Sequence, residues 1–220
     1  VFCRGEIVFG GSPWRLSRIP LAQRDVLLAL TSGDSMAVTS DHERIAVELL
    51  DRGLAIPDHH DQNFNLSAPN AHCTIVIPAF DNPEQLARCL QSVGPRYSVV
   101  VVDDGSRDGA KIHGICERFG AQLIIHSVNR GPAAARNTGL RRVETPFVAF
   151  LDSDCIADES WIEELLPYMG ESHLAVIAPR VVPGLGSGAV ARFEATDSAL
   201  DMGRIPELVR PGSALGYLPS

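Results

Sequence analysis

A chain of 220 residues that is 45% hydrophobic, with 27 acidic against 19 basic residues and a net charge of −8, reads as a folded globular protein with room for one or two cores. Neither the first 70 residues nor the remainder carries an excess of basic charge, which excludes the footprint of a nucleic-acid binder; an anionic ligand must be held locally, by a metal, an arginine or a helix N-terminus. The five cysteines (Cys3, Cys73, Cys89, Cys116, Cys155) are odd in number and scattered without a Cys-x-x-Cys pair, so they read as reduced thiols of a cytoplasmic protein and not as a disulfide framework or zinc site.

Residues 1–56 form a first unit. Glu6-Ile7-Val8-Phe9 has the composition of a short strand, Gly10-Gly11-Ser12-Pro13 that of a turn, and Trp14 to Ile19 alternates apolar with polar, giving a hairpin. A helix follows over Leu21–Leu30, closed by Gly33, and a second one is capped by Asp41, carries Ile45, Leu49 and Leu50 on one face and ends at Gly53. A hairpin with small helices is winged-helix-like in outline. Residues 57–72 are polar, carry Pro57 and Pro69 and show no apolar period, which predicts a linker; the adjacent His59 and His60 read there as solvated residues before they read as metal ligands.

From residue 73 the pattern becomes strand, turn, helix, strand. Thr74-Ile75-Val76-Ile77 is β-branched and stops at Pro78; Asp81 or Asn82 caps a helix whose Leu86, Leu90 and Val93 make a buried stripe, ended by Gly94-Pro95. Ser98 to Val102 contains four consecutive valines and runs into Asp103-Asp104-Gly105-Ser106. A helix from Asp108 to Phe119, a strand over Gln122–His126 and a helix opened by Asn129–Asn137 follow. Phe147 to Leu151 then reads as a strand buried on both faces that stops at Asp152-Ser153-Asp154. An amphipathic helix over Trp161–Met169, a strand over Leu174–Ala178 and a Pro/Gly loop over Val181–Gly188 complete the pattern.

Alternating βα units predict an α/β fold with a doubly wound, mostly parallel sheet over 73–220. In such a sheet the strand ends at Pro78, Asp103-Asp104 and Asp152-Asp154 share one edge, where ligands bind. Alone, Asp152 and Asp154 read equally as a helix cap or as two oxygen ligands to one hard cation. The first strand is followed by Pro78-Ala79-Phe80-Asp81-Asn82 and not by a glycine-rich loop, which argues against a dinucleotide-binding dehydrogenase and against a sugar nucleotidyltransferase. A divalent ion facing a nucleotide diphosphate suits the carboxylates better.

Four segments in order, Ile75–Asp81, Val101–Gly109, Asn129–Asn137 and Leu151–Asp154, resemble the motif series of family 2 glycosyltransferases with the GT-A fold. The resemblance covers residues 74 to about 180. It implies an inverting enzyme that takes a sugar from a UDP-sugar with Mg²⁺ or Mn²⁺. It implies further that Pro78, Ala79 and Phe80 line the nucleotide pocket and that Asp103 or Asp104 bonds the uracil or ribose. Arg136 would lie near the pocket, as an anion partner or as a helix residue that fixes the loop, and Asp152 and Asp154 would hold the metal, Asp152 toward the ribose.

The base that deprotonates the acceptor sits in a later acidic motif of the family and is expected beyond Ser220, the chain reading as a piece of a longer protein; no residue here is assigned to it. The first unit resembles the small winged-helix modules that recognise ribosomally made peptides, which implies a peptide-derived redox cofactor as acceptor, decorated with glucose. The expected location is the cytoplasm, with membrane association left open for the intact protein. The alternative to catalysis is a module that binds a nucleotide or a peptide without chemistry.

Overall fold

The computed structural model describes residues 2–4, 6–10, 15–32, 39–55, 72–170, 174–184, 186–196, 198, 200–203 and 209. The predicted linker, apart from His72, the hairpin turn at residues 11–14 and Gly33 lie outside these. The chain divides into two units, Val1–Asp61 with Ile177–Pro219, and Gln62–Val176.

In the first unit, β1 (Phe2–Arg4), β2 (Ile7–Gly10) and β3 (Arg15–Arg18) form an antiparallel sheet in sequence order, with Val8 opposite Ser17 and Phe9 opposite Leu16. The hairpin is therefore present, and β1 adds a strand that three residues are too short to announce by period. Helices α1 (Leu21–Ser32) and α2 (Ser40–Asp51) follow, and Val8, Ile19, Val26, Leu27, Ile45, Leu49 and Leu54 are buried together. The cap of α2 is Thr39, whose hydroxyl accepts the His42 N–H at 3.3 Å. Asp41, expected at that position, lies in the first turn instead, where with Glu43 it complements the helix dipole.

The second unit runs β4 (Cys73–Ala79), α3 (Pro83–Val93), β5 (Ser98–Asp103), α4 (Gly109–Phe119), β6 (Gln122–Ile125), α5 (Pro132–Leu140), β7 (Phe147–Phe150) and α6 (Trp161–Leu165). Its sheet is parallel throughout, in the order β6-β5-β4-β7. The chain steps outward from β4 to β6 and then returns to β7 on the other side of β4. Right-handed crossovers place helices from the two directions on opposite faces. Accordingly α3, α4 and α6 pack through Leu86, Cys89, Leu90, Ile112, Cys116 and Ile162 on Ile75, Ile77 and Val101, whereas α5 packs through Ala135 on Val76, Val100 and Val102.

Several boundaries differ from expectation. Strand β4 continues through Pro78 to Ala79. The Val76 carbonyl accepts the Leu151 N–H, so the β7-facing side of β4 is reached again two residues later, at Pro78. By then β7 has ended, its last residue Phe150 pairing with Val76, and the missing proline N–H leaves no ladder bond unmade. Strand β7 is not buried on both faces: among the described residues it is an edge strand, and Phe150 is 42% exposed. The expected helix over Trp161–Met169 tightens after Leu165 into a 3₁₀ turn over Leu166–Gly170, as Pro167 removes the next α-helical N–H. Residues Leu174–Ala178 form no strand; Val176 is 63% exposed and no described strand pairs with this segment. An apolar run of that length fits an irregular segment as well as a strand. Further on, Arg180 grips Asp201 through two bonds of 2.6 Å, and a short helix α7 occupies Ala189–Glu194.

Helix α5 lies very close to the sheet. A Cβ built at Gly139 would collide with the Val76 side chain and come within 3.3 Å of Val102 Cγ2. Gly139→Ala is therefore expected to destabilise the protein by about 1–3 kcal/mol, against the ordinary gain from replacing a helical glycine by alanine. Chemical denaturation of the two proteins checks this; an unchanged or increased stability would show that α5 can lift away without loss.

Candidate functional site

The sheet ends at one edge in four loops. The direction of strand order reverses between β4 and β7, the point at which such sheets open a crevice, and there the loop 80–82 meets the turn 151–155 through Asn82 and Ser153.

Beside it, β5 delivers two carboxylates inward. Asp104 is only 3% exposed and spends its oxygens on the chain itself. Its Oδ1 meets His126 Nδ1 at 2.6 Å, both oxygens accept the Arg130 N–H at 3.0 Å, and Oδ2 accepts the Gly131 N–H at 2.7 Å. Gly131 is the N-cap of α5 and has no side chain, so Asp104 caps that helix from another loop. Burial acts to raise the Asp104 pKa, but the bonds from His126, Arg130 and Gly131 outweigh it and hold the group below the usual carboxylate value. His126 Nε2 lies 3.0 Å from the Thr138 hydroxyl, so the imidazole links β6 to α5 as well. The loop needs a glycine at 105: φ is +80° there, and a Cβ would stand 2.8 Å from the Val128 backbone carbon. Asp103 is buried, accepts the Ser106 N–H at 2.9 Å through Oδ1 and keeps Oδ2 buried without a partner among the described residues.

The loop after β4 is tied to the loop after β5. Asp81 has φ of +52°, its N–H donates to the Ser106 hydroxyl at 2.9 Å, and its carboxylate accepts the Arg107 N–H at 2.8 Å and Arg107 Nε–H at 2.7 Å. The Arg107 backbone and guanidinium donors draw the Asp81 pKa down. Asp81, expected as a helix cap, is thus a loop clasp. The N-cap of α3 is Asn82, which makes no side-chain cap bond.

The turn after β7 closes through the Cys155 N–H on the Asp152 carbonyl at 3.0 Å. Asp152 Oδ1 accepts Arg136 Nη2–H at 2.6 Å, while Arg136 Nε is buried without a partner among the described residues. Ser153 is 6% exposed and takes a 2.6 Å bond from Asn82 Nδ2–H. Asp154 is exposed, and among the described residues its hydrogen-bond partner is the weak Cys155 thiol at 3.9 Å. Beneath the turn, Cys89 Sγ lies 3.5 Å from the Asp152 carbonyl, and burial pushes its thiol up to about 12, leaving it a packing group.

Of the residues anticipated from sequence, Pro78, Ala79 and Phe80 close β4 at the crevice, with Ala79 buried and Phe80 46% exposed. Arg136 and Asp152 meet directly and Asp154 follows two residues later. Asp103 and Asp104 point into the fold, and only Asp103 keeps an unmatched oxygen. His126, Asn82 and Arg107 carry bonds that sequence reasoning did not foresee, since a lone His, a capping Asn and a surface Arg have no period or spacing to single them out. Among the described residues no group of three or more His, Cys, Asp or Glu side chains could hold a metal ion by itself. An ion at Asp152 and Asp154 would complete its shell from a ligand's oxygens, as Mg²⁺ does with substrate phosphates.

The profile of glycosyl transferase family 2 matches residues 74–209. The pre-mycofactocin glycosyltransferase of Mycobacterium tuberculosis is 37% identical over 230 residues, covering 98% of this chain and 44% of that protein. The glycosyltransferase AglE of Haloferax volcanii is 34% identical over 101 residues, 41% of this chain and 33% of that one. The chain therefore spans less than half the length of these relatives. Among solved structures, residues 1–349 of TarS from S. aureus align at a TM-score of 0.50 and 22% identity, over 65% of this chain and 43% of that one, a likeness of fold.

The Asp104 cluster sets a pH dependence. Its folded pKa is lowered, so its contribution is present above the unfolded carboxylate value and is lost as pH falls through the folded one. Asp104→Ala is expected to destabilise by roughly 3–5 kcal/mol near neutrality, since buried N–H donors lose their acceptor. In denaturation series the gap from the wild type should hold from pH 7 to about pH 4, near the unfolded carboxylate value, and narrow below it as the folded group protonates. A gap that stays constant or widens below about pH 4 would refute the assignment.

Proposed function

The chain belongs to glycosyltransferase family 2, and from that premise we propose that it supplies the donor side of an inverting transferase. In this reading a hexose, glucose, moves from a UDP-sugar to an acceptor hydroxyl with Mg²⁺ or Mn²⁺. The observation that carries the reading is the meeting of Arg136 with Asp152, with Asp154 exposed two residues on, beside the point where the strand order reverses.

Pro78, Ala79 and Phe80 form the wall against which the base rests. Of the Asp103-Asp104 pair, Asp103 is the better candidate to bond the nucleoside, because Asp104 is spent on the chain's own donors. Arg136 neutralises one Asp152 oxygen and leaves Oδ2 as a ligand; Asp154, exposed beside it, supplies a second. A bound divalent ion supplies Lewis-acid stabilisation of charge on the departing diphosphate. The oxygen-only donor set fits such a hard ion. Attack on the anomeric carbon needs a carboxylate base at the acceptor hydroxyl, and we assign it to no residue of this chain.

The first unit, one core under an antiparallel sheet and two helices, supports a winged-helix-like peptide-recognition module over 1–56, with the transferase domain over 73–220. Likeness to the pre-mycofactocin enzyme over 98% of the chain supports pre-mycofactocin, a peptide-derived redox cofactor precursor, as the acceptor. We place the protein in the cytoplasm; no helix among the described residues is long and apolar enough to cross a membrane.

Calorimetric titration of UDP-glucose, with Mn²⁺ and with chelator, tests the donor site in the wild type and in Asp154→Ala. Chelation or the substitution should weaken binding at least ~10-fold, about 1.4 kcal/mol, with Tm unchanged because Asp154 is exposed. A well-folded wild type that binds no nucleotide-sugar would overturn the reading in favour of a module without chemistry.

A further inference from the structure

Asn82 stands at the N-cap of α3, where asparagine is among the strongest capping residues, yet it makes no capping bond. Its side chain instead crosses the crevice, and Nδ2–H donates to Ser153 Oγ at 2.6 Å, joining positions 71 residues apart. Ser153 is nearly buried and is the middle residue of Asp152-Ser153-Asp154. Among the described residues the arrangement leaves Asn82 Oδ1 buried without a partner, and it leaves the first turn of α3 without the oxygen that an N-cap would supply. Two local losses for one bond are a poor trade for stability. Such losses gather where a site's geometry is being held.

We propose that Asn82 is a positioning residue of the donor site: by holding Ser153 it fixes the turn that presents Asp152 and Asp154 together. The inference rests on the donor-site reading above and adds a residue to it. Asn82 touches neither carboxylate. It acts on the turn between them, and it sets their spacing as Arg136 sets the orientation of Asp152. A hard ion held by both carboxylates would tolerate little change in their spacing.

The test compares wild type, Asn82→Ser, Ser153→Ala and the double variant by three readouts: Tm, Mn²⁺-dependent UDP-glucose affinity by calorimetry, and amide hydrogen exchange of the ligand-free protein at Cys155, whose N–H closes the turn. Serine at position 82 restores a cap to α3, so Asn82→Ser is expected to keep or raise Tm. It should nevertheless weaken donor affinity about tenfold and speed exchange at Cys155 about tenfold. Ser153→Ala should do the same, and the double variant should be no worse than the worse single one, because both remove one bond. Wild-type exchange at Cys155 in Asn82→Ser would overturn the brace whatever the ligand results. Unchanged affinity in Asn82→Ser, with wild type binding the donor, would also overturn it. Failure of the wild type itself to bind any nucleotide-sugar would instead count against the donor-site reading, with the exchange result still deciding the brace.

Discussion

The geometry of the site hangs on one buried carboxylate. Asp104 is placed by β5, bonds to the imidazole at the end of β6 and accepts two N–H groups at the start of α5. It thereby fixes where α5 begins. Five residues after Gly131, about 7.5 Å along the helix, Arg136 meets Asp152. The position of that guanidinium is consequently decided from both ends of α5. The Asp104 cap sets its start, and the glycine at 139, pressed against Val76, sets its distance from the sheet. A charged side chain can reach across a crevice with a fixed aim only when its backbone has no freedom to slide, and here it has little.

The crevice itself follows from chain order. The chain runs from β4 out to β6 on one side and returns to β7 on the other, so the loops that end β4 and β7, remote in sequence, come side by side where the strand order reverses. Pro78 can sit in a strand only where no ladder bond is required on its side, and β7 ends before reaching it. After Leu151, whose N–H still bonds β4, the early end of β7 releases Asp152 to Asp154 from the sheet, so that a turn, and not a strand, presents the carboxylates.

Much of this was legible in the residues. The βα alternation, the four valines of β5 and the glycines at 94, 105 and 120 mark the parallel sheet and its turns, because burial period and φ above zero are properties of single positions. What stayed hidden depends on partners. The run Leu174–Ala178 has strand composition but no neighbour to pair with among the described residues. Asp103 and Asp104 looked alike as an acidic doublet; only their surroundings separate one with a spare oxygen from one wholly engaged. Asp81 and Asn82 both had the chemistry of caps, and each was drawn away by a loop that is remote in sequence.

These diversions share a cause in charge. Asp152 and Asp154 lie two residues apart in a chain of net charge −8, and a diphosphate brought to them would add more negative charge to the same place. Arg136 offsets one carboxylate only. Left to themselves the two would drift apart, since like charges on an exposed turn relax by moving into solvent. Holding them together without a cation therefore needs neutral bonds that carry no charge of their own into the crevice, and an amide-to-hydroxyl bond to the residue between them is of that kind. Arg107, in the loop after β5, is paired with Asp81, and on the proposed reading a second guanidinium beside Asp152 and Asp154 would take the oxygens left for a divalent ion.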